Sequence, residues 1–182
     1  MKIPKEAKLV FRGQIFDIYQ WKQKMFDGSY GTFECLKRQD NASVIPVVGN
    51  KILICEQEQP YTGTFYGIFG GRVENGEDVL KTAKRELLEE SGFESNDWEL
   101  ISKYNDFYKL DWTINVFVAR DCKKVGNPRL DPGEKIETRL VSFEEFLEIV
   151  GSTKFRGKEF ANEIFRMKFE NRLEDFKKKL FK

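Results

Sequence analysis

The apolar positions fall into alternating runs first and helical stripes later. Residues 9–38, LVFRGQIFDIYQWKQKMFDGSYGTFECLKR, alternate large apolar and polar side chains on either side of Asp27-Gly28-Ser29, which predicts two extended runs joined by a turn. Residues 44–48 and 51–55 are denser apolar runs separated by Gly49-Asn50, a two-residue hairpin signal. Pro46 inside the first of these predicts an edge position or a bulge, because proline brings no N–H to a ladder. Residues 59–71, rich in glycine and aromatics, read as loop.

The period then changes. Val79, Leu80, Ala83 and Leu87 form an i, i+1, i+4, i+8 stripe, the mark of a helix with one buried face. Asn75 is expected to cap it, with Asp78 as the capping-box partner, and Gly92 after Ser91 to end it. Residues 98–107, 112–119 and 136–141 read as strands, and Ser142-Phe143-Glu144-Glu145 opens a second helix with a capping box. Beyond Gly157, the residues Ile164, Phe165, Phe169, Leu173, Phe176 and Leu180 recur at intervals of three and four, which predicts one amphipathic terminal helix. The final four residues are expected to add little to folding. Strands, helix, strands, then helices give an α/β class: a mixed sheet covered by helices, residues 41–182, preceded by an antiparallel β annex over residues 1–40.

Composition narrows the chemistry. A length of 182 residues suits one domain with a real core and a small annex, and a net charge of +1 gives no field for a nucleic acid or a membrane. No apolar run is long enough to span a bilayer, and the N-terminus shows no secretory apolar segment. Cys35, Cys55 and Cys122 are odd in number and widely spaced; they read as buried small hydrophobes in a reducing cytoplasm. There is no histidine, which removes imidazole acid–base chemistry, Ser-His-Asp triads and His-ligated zinc. What remains for catalysis is carboxylate, Lys, Arg, Tyr, Cys or a hard metal.

One stretch, GGRVENGEDVLKTAKRELLEESGF at residues 70–93, sets Glu86, Glu89 and Glu90 on one helix arc of about 100°. Like charges at that spacing destabilise a helix. A divalent cation would turn their repulsion into attraction, with a backbone carbonyl of the Gly-Gly turn as a further oxygen ligand. Arg85 and Glu77 supply one opposite-charge pair that pins loop to helix, which leaves the three glutamates free for metal. Phe16, Tyr19, Trp21, Tyr66 and Phe69 are candidates to stack on a base, and Arg38 and Arg72 to contact phosphate.

Gly71, Glu77, Arg85-Glu86-Leu87-Leu88-Glu89-Glu90, Gly92 and Phe93 stand at every specified place of the Nudix box, Gly-x5-Glu-x7-Arg-Glu-U-x-Glu-Glu-x-Gly-U, with U a bulky apolar residue. Chance agreement is on the order of 10⁻⁷ or less for a chain of this length. The segment therefore resembles the Nudix hydrolases, whose fold is an α/β/α sandwich. That resemblance implies hydrolysis of a nucleoside diphosphate linked to a second moiety X. It implies Mg²⁺, or Mn²⁺ in its place, on Glu86 and Glu90 with help from Glu89 and the Gly70 carbonyl, and a structural Glu77–Arg85 pair.

Length, annex and the segment at residues 54–60, ICEQEQP, look like the ADP-ribose and nucleoside-diphosphate-sugar pyrophosphatases, which are commonly homodimers. In that group a loop after the core strands brings another acid. Here that loop is LDPGEKIE at residues 130–137, with Glu134 the best match for a metal-binding or base-positioning acid and Glu137 the second choice. The base stays open between Glu89 and Glu134. Phe107-Tyr108, where ADP-ribose members carry a proline, is more reminiscent of dinucleoside-polyphosphate hydrolases. A third expectation is a sensing module of the same fold without turnover.

Overall fold

The computed structural model describes residues 2–182. In chain order its elements are β1 (Lys8–Arg12), β2 (Asp17–Lys24), β3 (Tyr30–Lys37), β4 (Asn41–Val48), β5 (Lys51–Gln59), β6 (Thr62–Gly67), β7 (Phe69–Arg72), α1 (Val79–Ser91) and β8 (Phe93–Glu94). They continue as β9 (Asp97–Tyr104), β10 (Leu110–Asp111), β11 (Ile114–Arg120), β12 (Lys123–Lys124), β13 (Lys135–Val141), α2 (Phe143–Gly151), α3 (Lys158–Phe169) and α4 (Leu173–Leu180).

The central mixed sheet runs β13-β5-β4-β11-β9, with β6 added to β5 and β7 to β4. Its inner strands β5, β4 and β11 carry buried apolar side chains on both faces, as expected for a sheet covered on two sides. Ala42, Val44, Leu53, Cys55, Phe117 and Ala119 face α1, where they pack on Ala83 and Leu87. Their neighbours Ile45, Val47, Ile52, Ile54, Val116 and Val118 point the other way, into a second core closed by Phe146, Phe160, Ile164, Phe176 and Leu180 of α2, α3 and α4. The period-two switch of side chains along each strand therefore builds an α/β/α sandwich. A smaller sheet, β1-β2-β3-β10, carries the N-terminal strands and is completed in parallel by β10 from the later chain.

Several local expectations are corrected. The N-terminal segment forms three strands, because the chain also reverses between Gly13 and Phe16, where the Gly13 N–H donates to the Phe16 carbonyl. Residues 59–71 are mostly strand: β6 pairs with β5, and β7 with β4 through Val44↔Phe69. Glycines there hide the alternation. Pro46 lies in the middle of the sheet, where β4 changes partner from β7 to β5 between Val44 and Val47. A residue without an N–H is tolerated at that seam, where one ladder stops before the next begins.

Asp78, not Asn75, caps α1: its carboxylate accepts from the Leu80 and Lys81 N–H groups, while the Asn75 side chain receives Gln39. Gly92 ends the helix at φ 73° as expected. Ser142 caps α2 by accepting from the Glu145 N–H, but the Glu145 side chain turns to Arg139. The tail is two helices, broken at Asn171, whose φ of 55° is a left-handed conformation that asparagine tolerates. Its last residues are not idle. Leu180 is fully buried, Phe181 stacks edge-on to Phe143, and the buried Arg120 guanidinium donates to the Lys179 carbonyl from Nε at 2.8 Å.

Candidate active site

Helix α1 carries the acids, and the end of β7 sits over them. The Gly70 N–H donates to Glu90 Oε2 at 2.8 Å. Gly70 has φ 141°, and a Cβ there would lie 2.1 Å from the Ala42 carbonyl oxygen. At Gly71 a Cβ would lie 2.3 Å from Glu86 Oε1, so only glycine lets the strand end meet the carboxylate.

Arg85 organises the rest. It bonds Glu77 at 3.3 Å, as the sequence predicts, but also Glu86 at 2.8 Å and Glu89 at 2.9 Å. The expectation that the three box glutamates stand free of protein partners is thus corrected: Arg85 spans the shared helical face and the Gly70 amide takes Glu90. Among the described residues no three acidic or cysteine side chains form a preformed metal-binding group.

Electrostatically the cluster is under load. Glu90 is 5% exposed. Burial pushes its carboxyl up to about 8, helped by Glu86, Glu134 and Glu89 and opposed by the Gly70 N–H. Glu86 is also raised, first by burial, with Arg85 opposing and Glu89 and Glu134 adding to the rise. For Arg85, burial disfavours the charge, but Glu77, Glu86 and Glu89 outweigh it and raise its pKa. Beneath the acids the Cys55 thiol is pushed up to about 12 by burial and by Glu90, which makes it inert at neutral pH.

Glu134 therefore lies within electrostatic reach of Glu86 and Glu90, although it comes from a loop far beyond the box in the chain. The segment leading into that loop is fastened to the helix carrying the acids: the Arg129 N–H donates to the Glu89 carbonyl at 2.7 Å, and Val125 and Gly126 donate to the Gly92 carbonyl. Glu137 sits on β13 directly opposite Glu56.

Beside the box loop opens a cleft of about 750 Å³, lined by Tyr19, Lys37 and Arg38 on one side and by Val73 and Glu77 on the other. Arg38 lies 4.4 Å from the Trp112 ring centre and 5.6 Å from that of Phe16. Its Nε is buried without a hydrogen-bond partner, and burial together with the nearby Arg72 charge lowers its pKa. Phe16, Tyr19, Arg38 and Arg72 are thus brought to one region. Tyr66 and Phe69 are not. Phe69 is fully buried in the core under α1, and Tyr66 packs against the core on the opposite face, where Arg139 covers its ring. Both look available in the sequence only because the segment reads as loop. Trp21 is also buried, 5.9 Å from Phe33 between ring centres. Trp112 escapes sequence reasoning: there it is merely a residue at the start of a strand, and only the fold sets it against Arg38.

The profile of the NUDIX domain family matches residues 37–165. The chain belongs to the Nudix family. It is 29% identical over 150 residues to the ADP-ribose pyrophosphatase of Bacillus subtilis (strain 168), covering 79% of this chain and 80% of that one. It is 29% identical over 149 residues to a methanol dehydrogenase activator of Bacillus methanolicus, covering 80% of each. A solved structure described as an ADP compounds hydrolase has the same fold, with a TM-score of 0.73 over 92% of this chain and 95% of that one, at 20% identity. The chain is accordingly a Nudix pyrophosphohydrolase, from a family that generally uses a divalent metal. Among the described residues no helix is long and apolar enough to cross a membrane.

Proposed function

We propose that this protein hydrolyses the pyrophosphate bond of a nucleoside diphosphate linked to X, of the ADP-ribose or nucleoside-diphosphate-sugar class, to a nucleoside monophosphate and a phosphorylated X. The observation that carries this is the meeting of two things at the end of β7. One is an acid set on α1 joined by Glu134. The other is a cleft holding Arg38, with Arg72 beside it, neither of which has an acidic partner within ion-pair distance among the described residues.

The donor chemistry fits Mg²⁺ or Mn²⁺. Every candidate ligand is a hard oxygen: Glu86, Glu89, Glu90, Glu134 and the Gly70 carbonyl. The glycine cradle at Gly71 keeps the space that a Cβ would take from Glu86. When bound, such an ion neutralises diphosphate oxygens and acidifies a water. The chain's own residues do the rest. Arg38 and Arg72 hold the anionic diphosphate. Phe16 and Tyr19, at the annex side, offer ring faces to the base. Glu134 takes the proton of the attacking water; it is preferred to Glu89, whose carboxylate is engaged by Arg85. The water oxygen bonds to phosphorus as the bridging P–O bond breaks, and the departing oxygen leaves on a phosphate monoester.

Mass analysis of products after incubation with ADP-ribose, a nucleotide sugar or a dinucleoside polyphosphate tests this. A nucleoside monophosphate from the first two is the expected product; turnover of the dinucleoside polyphosphate alone would transfer the protein to the alternative class. Binding without product from any of them would favour the sensing module.

Residues 1–40 are proposed to act as a dimerising annex. Support comes from β1, an edge strand paired among the described residues only with β2, which leaves Val10 and Phe11 more than half exposed. Sedimentation should show a dimer, and Phe11→Lys should shift it to monomer. The three free, buried cysteines suit a reducing cytoplasm.

A further inference from the structure

A second cleft, of about 500 Å³, lies between the β5–β6 hairpin and the loop that bears Glu134. Its walls differ in chemistry from those of the Arg38 cleft. They present Glu58, Gln59, Tyr61, Thr62, Glu134 and Lys135. The one cation among these six, Lys135, is already bonded to Glu58 at 3.2 Å. What remains is the Glu134 carboxylate, the Gln59 amide and the hydroxyls of Tyr61 and Thr62. These can accept hydrogen bonds from a ligand's hydroxyl groups and repel added phosphate.

Tyr61 is the most telling member. Gln59 pairs with Thr62 across the hairpin, so Pro60 and Tyr61 form a two-residue turn. Tyr61 has φ 61°, a left-handed conformation that glycine or asparagine fills at little cost and a bulky residue does not. Its side chain contributes nothing to packing, with the residue 108% exposed. A tyrosine held in a glycine position, with its whole ring displayed in the cleft that Glu134 also lines, is costly to the free chain and is explained by contact with a ligand.

We infer that this cleft receives the X moiety, and that X is a neutral, hydroxyl-rich sugar, with Tyr61 as the specificity-determining residue that lies on the sugar face. The inference rests on the proposed diphosphate hydrolysis and adds an orientation to it. The nucleoside and diphosphate lie toward Arg38, and the sugar lies toward the hairpin. A second nucleotide with additional phosphates would bring negative charge to Glu134, so dinucleoside polyphosphates are disfavoured.

Steady-state kinetics on two diphosphate diesters of equal charge test it: ADP-ribose, and the β-methyl ester of ADP, which has no sugar in the X position. Tyr61→Gly relieves the turn and keeps the fold. It should raise KM for ADP-ribose about tenfold, the scale on which a single group in a specificity pocket discriminates, while kcat changes little and KM for the methyl ester stays put. Tyr61→Phe, which keeps the ring, should restore the wild-type ratio. An unchanged KM ratio in Tyr61→Gly, with both esters turned over, overturns the sugar cleft and leaves the hydrolysis intact. No turnover of either ester by the wild type overturns the hydrolysis, and the sugar cleft with it.

Discussion

The backbone N–H of Gly70 and the carboxylate of Glu90 are joined by a 2.8 Å hydrogen bond that ties the end of β7 to the last turn of α1. Glu90 is buried and surrounded by other acids, so its role separates from its packing. Glu90→Gln keeps the volume and the bond from Gly70. We expect kcat to fall by several orders of magnitude with the melting temperature held or raised, and calorimetric uptake of Mg²⁺ to be lost. Near-normal turnover in this variant would remove Glu90 from the metal set.

The two glycines above the acids should fail differently. Gly71→Ala pushes on the movable end of Glu86, whereas Gly70→Ala meets the fixed Ala42 carbonyl at an unfavourable φ. Gly71→Ala should therefore lose roughly 10²-fold in kcat/KM with a modest change in stability, as for a displaced catalytic group. Gly70→Ala should unfold in clearly less urea than wild type. The reverse ranking would contradict the geometry.

Stability in the presence of a chelator should depend on pH through Glu90. Its folded pKa of about 8 lies above the usual carboxylate range, so the folded state binds more protons than the unfolded state between the two values. Stability is then highest below the carboxylate range and declines as pH rises toward about 8. Melting temperatures measured between about pH 5.5 and about pH 8.5 should show this slope in the wild type. The slope should be shallower in Glu90→Gln; equal slopes would assign the effect elsewhere.

Deleting residues 179–182 is expected to cost about 3–5 kcal/mol, the scale of a large apolar side chain removed from a core. The deletion removes Leu180, unstacks Phe181 from Phe143 and leaves the buried Arg120 without its helix-end carbonyl. Urea denaturation measures it directly, and a change below about 1 kcal/mol would show that the tail is peripheral. This reverses what the apolar stripe alone suggests, since spacing shows which face is buried but not what the final turn touches.

What could be seen in the sequence was local. The stripe of α1, the Gly49-Asn50 hairpin and the spacing that sets Glu86, Glu89 and Glu90 on one arc all depend on residues close in the chain. What was hidden depends on neighbours far along it. Glycines mask β7, because a residue without a side chain carries no alternation. Asn171 breaks the tail through a single backbone conformation that leaves the apolar spacing intact. Arg38 meets Trp112 only after β4 and β11 pair side by side, and Arg85 engages three acids at once because Glu86 and Glu89 share its helix while the loop before α1 brings Glu77 back to it. Phe69 and Tyr66 show the converse. Aromatic content drew attention to them, and two hidden strands, β6 and β7, consigned one to each core.

The anchoring of the 125–129 segment to the last carbonyls of α1 has a mechanical meaning. Glu134 swings from a tether rooted in the very helix that bears its partners, so thermal rocking of that helix moves the root and the box acids as one body. In the proposed mechanism, relative jitter between the two sets of acids is confined to a handful of residues, and lengthening that short span by insertion would be expected to loosen the aim of Glu134 without altering any box acid.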